Sequence, residues 1–428
     1  MNQFTVLPAK FSIPWTRLLQ WRADDRKTGY LCTLLLVSCG IFLAVMVYVT
    51  WSVNVTQATN GELSSDFFAL WSYAKIASEY SATELYDSVA LHAREVALGM
   101  DPSLQKWFPY PPTAIFLLWP LGLLPYGAAY VAWVVGTLGL FLWAVVATCS
   151  RSPLCIVGVL VAPVTAATIG SGQSGFLAAA LITGGIRLAP SRPILGGILL
   201  GLLTYKPQLG LLVPIALIAA GNWRAAGVAC ATAMGLAIVS VLVFGWSLWP
   251  AWIAMLPEYQ AAFDRSHDHQ LHLMPTILSN LKMAGFQSPM VEGVQAASSV
   301  IVAVLVGRCF YRNAGRLAAA SLFVGTLLAT PHAFIYDMPM ILAAMALFIE
   351  EHRQTNATFS LVGILVLSLA MLFPLMMLFQ YPDAPVSSLS LLMLFCIILY
   401  HESPFVVTGL LNRLGAKATK MATRLRTH

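Results

Sequence analysis

Asp66 stands in the run Gly61-Glu62-Leu63-Ser64-Ser65-Asp66-Phe67-Phe68, just after a first long apolar stretch that ends near Trp51. The polar connection that follows, residues 52–110, carries Glu62, Asp66, Glu79, Glu84, Asp87, Glu95 and Asp101 against Lys75, Arg94 and Lys106. After Asp101 the chain has no acidic residue before Glu258. A carboxylate at a water–lipid boundary can serve as a general base, because low-dielectric surroundings lift its pKa toward the working range. An Asp after two serines is explained equally well as a helix cap. Asp66 is the leading candidate base, with Glu62 the other acid within reach.

Four further groups of residues bear on chemistry. Lys206 is the only charge between Arg192 and Arg224, and a lysine at mid-helix in a bilayer costs roughly 2.5–3.5 kcal/mol. Its long stem can snorkel out, but Pro207 breaks the helix beside it and Gln208 adds donors, so Lys206 and Gln208 read as a phosphate site. In Pro331-His332-Ala333-Phe334-Ile335-Tyr336-Asp337, His332 can donate to an anionic leaving group with Asp337 orienting it, or Asp337 merely caps a turn. The loop Asp264-Arg265-Ser266-His267-Asp268-His269-Gln270-Leu271-His272 is the densest polar cluster. Its His-x-His spacing admits a divalent metal, but no helix or strand pattern fixes ligand spacing there, and neither a metal nor another cofactor is expected. Gly170-Ser171-Gly172-Gln173-Ser174-Gly175 lacks the strand and following lysine of a phosphate loop, so it reads as a tight turn with Gln173 a sugar contact.

These residues need elements to hold them. Of 428 residues 58% are hydrophobic and 10% charged, far below the ~25% charged of a soluble chain. Successive apolar runs of span length make this an all-α polytopic membrane protein of about eleven to thirteen membrane segments, without alternating barrel strands. The first run is too long and too late for a secretory signal. Seven cysteines are scattered without a CxxC pair, so neither zinc ribbon nor disulfide framework is indicated.

Spans are expected near 30–51, 112–124, 126–149, 153–170, 174–189, 194–221, 224–246, 290–310, 315–331, 334–350, 358–380 and 387–402. The division is a segment 1–29, a membrane domain 30–402 with external loops 51–111 and 247–289, and a basic tail 403–428. Phe67 to Tyr80 suits a short amphipathic helix on the membrane face, capped by Ser64, Ser65 or Asp66. Eighteen of the 24 Lys and Arg residues fall on one side if both termini are cytoplasmic: five in the N-terminal segment, eight in short loops, five in the tail. That bias places the acidic loop outside. Parity closes if 112–124 and 194–221 both cross or both turn back; two shallow returning pairs are preferred, leaving Lys206 near the outer face. Basic residues confined to loops and tails set orientation, and do not bind nucleic acid.

The early external Asp66, Tyr110-Pro111-Pro112, Gly172-Gln173, Lys206-Pro207-Gln208, Asn222-Trp223-Arg224 and Pro331-His332…Asp337 occur in an order that resembles glycosyltransferase family 87. That family groups polyprenol-phosphate-mannose-dependent mannosyltransferases of the GT-C superfamily. The resemblance covers roughly residues 60–340. It implies a bacterial inner-membrane enzyme whose site faces the periplasm and moves a hexose, mannose above all, from polyprenyl phosphate to an envelope lipid or glycan. It implies Asp66 as catalytic base, His332 in the active site and Lys206 at the donor phosphate. Tyr110, Gln173, Arg265, His267, His269 and Asp337 remain candidate acceptor or sugar contacts beside Glu62. Two rival classes are a transporter or flippase for a lipid-linked sugar, and an O-antigen ligase or polymerase working from residues 247–289.

Overall fold

The computed structural model describes residues 37, 39–48, 50, 65–148, 153–265, 271–355, 361–378 and 387–402. Glu62, His267 and His269, the two terminal segments and Ser64 lie outside these residues. Every regular element among those described is helical. Among the described residues three helices are long and apolar enough to cross a membrane: Tyr126–Thr148, Trp223–Phe244 and Met290–Arg312. The protein is an all-α membrane protein.

In chain order the helices are α1 (Cys39–Tyr48), α2 (Asp66–Glu79), α3 (Ser88–Ala97), α4 (Ala114–Gly122), α5 (Tyr126–Thr148), α6 (Pro153–Leu160), α7 (Pro163–Ser171) and α8 (Gly175–Leu188). Then come α9 (Pro193–Gly201), α10 (Pro207–Gly210), α11 (Val213–Ala219), α12 (Trp223–Phe244), α13 (Leu248–Arg265) and α14 (Ile277–Met283). The last five are α15 (Met290–Arg312), α16 (Arg316–Ala329), α17 (Pro339–Gln354), α18 (Leu361–Leu378) and α19 (Ser387–Glu402).

Helices α8 and α16 are buried on nearly every face and form the centre. By contrast α12 buries only Ala225 and Ser240, which suits a helix whose apolar surface meets lipid. Small residues set the close packing between them. A side chain at Gly197 would collide with Val228 and the Ala225 carbonyl, and one at Gly201 with Thr232 and the Ala229 carbonyl. These contacts also show α9 and α12 running in the same direction.

The segment 193–219 is therefore a helical hairpin. A 3-10 turn, Leu202–Tyr205, carries α9 to Lys206, where the chain leaves helical geometry and Pro207 starts the returning limb. Its tip lies at Asp337, while Arg192 and Arg224 share a small cavity at the other end. Its first limb runs antiparallel to α8, with Leu200 against Gly185 and Tyr205 Oη donating to the Ser174 carbonyl at 3.1 Å. Segment 112–124 behaves differently. At nine residues, α4 is ~14 Å long, against ~30 Å for a bilayer core, and it packs on α2.

Two expectations change here. Helix α2 begins as foreseen, with Ser65 Oγ accepting from Phe68 N at 3.1 Å. It does not lie on a membrane face, however: Phe67 through Ala74 and Ile76 are all buried, because α4 and the rest of the first loop wrap it. The described residues of 247–289 form α13, a 3-10 turn and α14 rather than a plain loop. Trp249, Trp252, Tyr259 and Phe263 give α13 an aromatic stripe, and α13 lies across the first loop, with Ser88 Oγ donating to Glu258 at 3.1 Å.

Candidate active site

The first long loop is held by aromatic side chains that donate to backbone carbonyls. Tyr73 Oη donates to Trp107 O at 2.5 Å, Trp252 Nε1 to Pro109 O at 3.1 Å, and Tyr86 Oη to Tyr110 O at 2.9 Å. An irregular segment with prolines at 109, 111 and 112 has few backbone partners of its own, so side chains satisfy it. Burial raises the pKa of Tyr73, Tyr110, Tyr259 and Tyr336, which keeps all four as neutral hydroxyls.

Below this loop lies a cavity of about 800 Å³. Asp66, Lys106, Tyr110, Gln173, Tyr259 and Tyr336 are among its lining residues. Asp66, in the first turn of α2, has its Oδ1 3.8 Å from Lys106 Nζ. Gln173 links the wall: its Nε2 donates to the Asp66 carbonyl at 3.5 Å and its Oε1 accepts from Tyr110 Oη at 3.4 Å. The turn that presents Gln173 depends on two glycines. Gly172 has φ +63°, and a Cβ on Gly175 would overlap the carbonyl of Tyr336. That contact ties the N-terminus of α8 to the segment before α17.

Asp66, Tyr110 and Gln173 are thus brought together at one cavity, although more than forty residues separate the first two and more than sixty the last two. Lys206, Gln208, His332 and Asp337 are not among the residues that line it. Lys206 lies beneath the floor, its Nζ 2.8 Å from Asp337 Oδ1 and 5.1 Å from the centre of the Tyr336 ring. Asp337 Oδ2 accepts from Phe334 N at 3.1 Å, the capping turn that was the plainer reading of this aspartate. His332 packs edge-on against Phe263, 5.7 Å between ring centres, and Phe263 is the residue of that pair that reaches the cavity. Arg265 closes α13.

Sequence reasoning missed Lys106 and Glu95. Lys106 is the one Lys or Arg among the described lining residues, and it immediately precedes the aromatic stretch Trp107-Phe108-Pro109-Tyr110, the signal that pointed to it. Glu95 is fully buried on α3, with Oε1 accepting from Ser72 Oγ at 2.9 Å and Oε2 without a hydrogen-bond partner. Burial pushes its carboxyl up to about 7, against the pull of Ser72 and of Lys106. Among the described residues no cluster of three His, Cys, Asp or Glu is placed to hold a metal ion.

The cavity thus sets an ionisable carboxylate and a cation among neutral hydroxyls, an arrangement able to take a proton and to meet an anion. No curated protein and no solved structure was found to match the chain. The model of glycosyltransferase family 87 matches residues 107–331, over half the sequence. Its span opens at Trp107, takes in Tyr110, Gln173 and Tyr259 of the cavity wall and closes at the Pro331 turn, so the chain belongs to glycosyltransferase family 87.

Proposed function

We propose that the protein transfers a hexose, mannose above all, from polyprenyl phosphate to an envelope lipid or glycan on the periplasmic face of a bacterial inner membrane. Asp66 acts as general base. The observation that carries this reading is a carboxylate beside a cation on the wall of a cavity roofed by external helices. In the step, Asp66 takes the proton of the acceptor hydroxyl while its oxygen bonds to the anomeric carbon. The bond from that carbon to the phosphate oxygen breaks, its electron pair leaves with the phosphate, and the anomeric centre inverts.

Lipid phosphate is already a good leaving group, so a cation and neutral donors suffice to meet its growing charge. Lys106 is better placed for this than Lys206, whose Nζ is already engaged by Asp337. Tyr110 and Gln173 offer a hydroxyl and an amide to sugar hydroxyls. His332 supports the Phe263 wall. Purified protein incubated with labelled mannosyl-phosphoryl-polyprenol and a membrane lipid extract should yield a labelled glycolipid, and Asp66→Asn should yield about 10³-fold less. Equal transfer from a nucleotide sugar, or full transfer by Asp66→Asn, overturns the reading.

A further inference from the structure

Helix α8, which starts two residues after Gln173 of the Asp66 cavity, ends at a second cavity. Helix α8 runs from Gly175 to Leu188, fourteen residues or ~21 Å, and its far end meets the start of α16 and the end of α17. There a cavity of about 570 Å³ opens, which the glycosyl-transfer reading does not use. Thr183 and Arg187 line it from successive turns of one face of α8.

Three observations converge on a phosphate. Helix α16 starts at this cavity with no side-chain cap on Gly315. The N–H groups of Arg316, Leu317 and Ala318, which have no acceptor among the described residues, form the positive end of its dipole. Thr183 lines the cavity, is 1% exposed, and its Oγ1 has no hydrogen-bond partner. Thr137, Thr148, Thr168 and Thr232 each donate to the carbonyl four residues back; Thr326 of α16 shares the unpartnered state but does not line this cavity. Arg187 is exposed at the rim and pairs with no carboxylate among the described residues.

The remaining charges narrow the ligand. Arg316 and Glu351 pair at 3.2 Å, and Glu402 on α19 lines the same wall beside His401. Arg187 and Arg316 thus balance Glu351 and Glu402, and a purely anionic ligand would meet Glu402 unfavourably. We propose that this cavity binds a phosphoethanolamine group. Its phosphate rests on the α16 N-terminus, the Thr183 hydroxyl and Arg187, and its ammonium faces Glu402. The chemistry is available from a phospholipid headgroup or from soluble phosphoethanolamine.

Native mass spectrometry of the detergent-purified protein, with equimolar phosphatidylethanolamine and phosphatidylglycerol of matched chains, tests this. The ethanolamine lipid should be retained about fivefold over the glycerol lipid. Glu402→Gln should erase that preference, whereas Thr183→Val and Arg187→Gln should weaken retention of both lipids, while sugar transfer, which shows the variants to be folded, continues. Displacement of the lipid by millimolar free phosphoethanolamine assigns the headgroup alone as the ligand, and resistance to displacement assigns the whole lipid. Equal retention of the two lipids, a preference unchanged in Glu402→Gln, or retention of both lipids unchanged in Thr183→Val and Arg187→Gln overturns the proposal.

Discussion

Two lysine–aspartate pairs sit on opposite sides of the cavity wall. Lys106 and Asp66 are 3.8 Å apart, with side chains 21% and 49% exposed, and both face the cavity. Lys206 and Asp337 are 2.8 Å apart and 3% exposed each, beneath it. The exposed pair is loose, so its charges stay available to a ligand, and its contribution to stability is at most ~1 kcal/mol. The buried pair is closed: each charge has spent its attraction on the other, and separating them would leave an uncompensated ion in low dielectric. In the proposed reaction the first pair meets substrate, while the second joins the hairpin tip to the start of α17.

That contrast can be broken in four places. Asp66→Asn should lower transfer by about 10³-fold while altering stability by no more than ~1 kcal/mol, the loss of one acidic group from the first turn of α2. Transfer assays and thermal melts on the same preparation read both numbers, and retained activity would remove the base from the wall. Asp337→Ala or Lys206→Ala should destabilise by roughly 3–5 kcal/mol, and Lys206→Met combined with Asp337→Leu should recover most of it. If either single variant melts like the parent and only donor affinity falls, Lys206 belongs to the substrate site after all.

Glu95 supplies a pH test. Its carboxyl sits near 7 in the folded protein against 4.5 in an exposed chain. Between those values the folded state holds the proton that the unfolded state has lost, so stability falls as pH rises, by about 3 kcal/mol in total. Glu95→Gln should flatten melting temperature from pH 5 to 8, and a parental slope in that variant would assign the effect elsewhere. Lys106→Ala is expected to cost ~10² in transfer with little change in melting temperature. Donor titration should show the loss concentrated in the donor's apparent affinity and turnover, and an effect on acceptor alone would contradict its role at the phosphate.

Much of this was legible in the chain. Apolar run lengths and the rarity of charge demand membrane helices, because lipid offers backbone groups no partner. The Pro207 break, the Gly172 turn and the Ser65 cap are local and show in local residue types. Asp66 stood out as an acid at the edge of an apolar run, and Tyr110 and Gln173 by their motifs. What local pattern cannot carry is distance across the fold. Whether Lys206 meets solvent or Asp337 depends on how the hairpin tip packs 131 residues away from its partner. Lys106 and Lys206 look alike as isolated cations in sequence. Only the packing of α2, α4 and α13 around one, and of α8 and α17 around the other, made the first accessible and the second dry, because desolvation is a property of neighbours that the chain brings together from far apart.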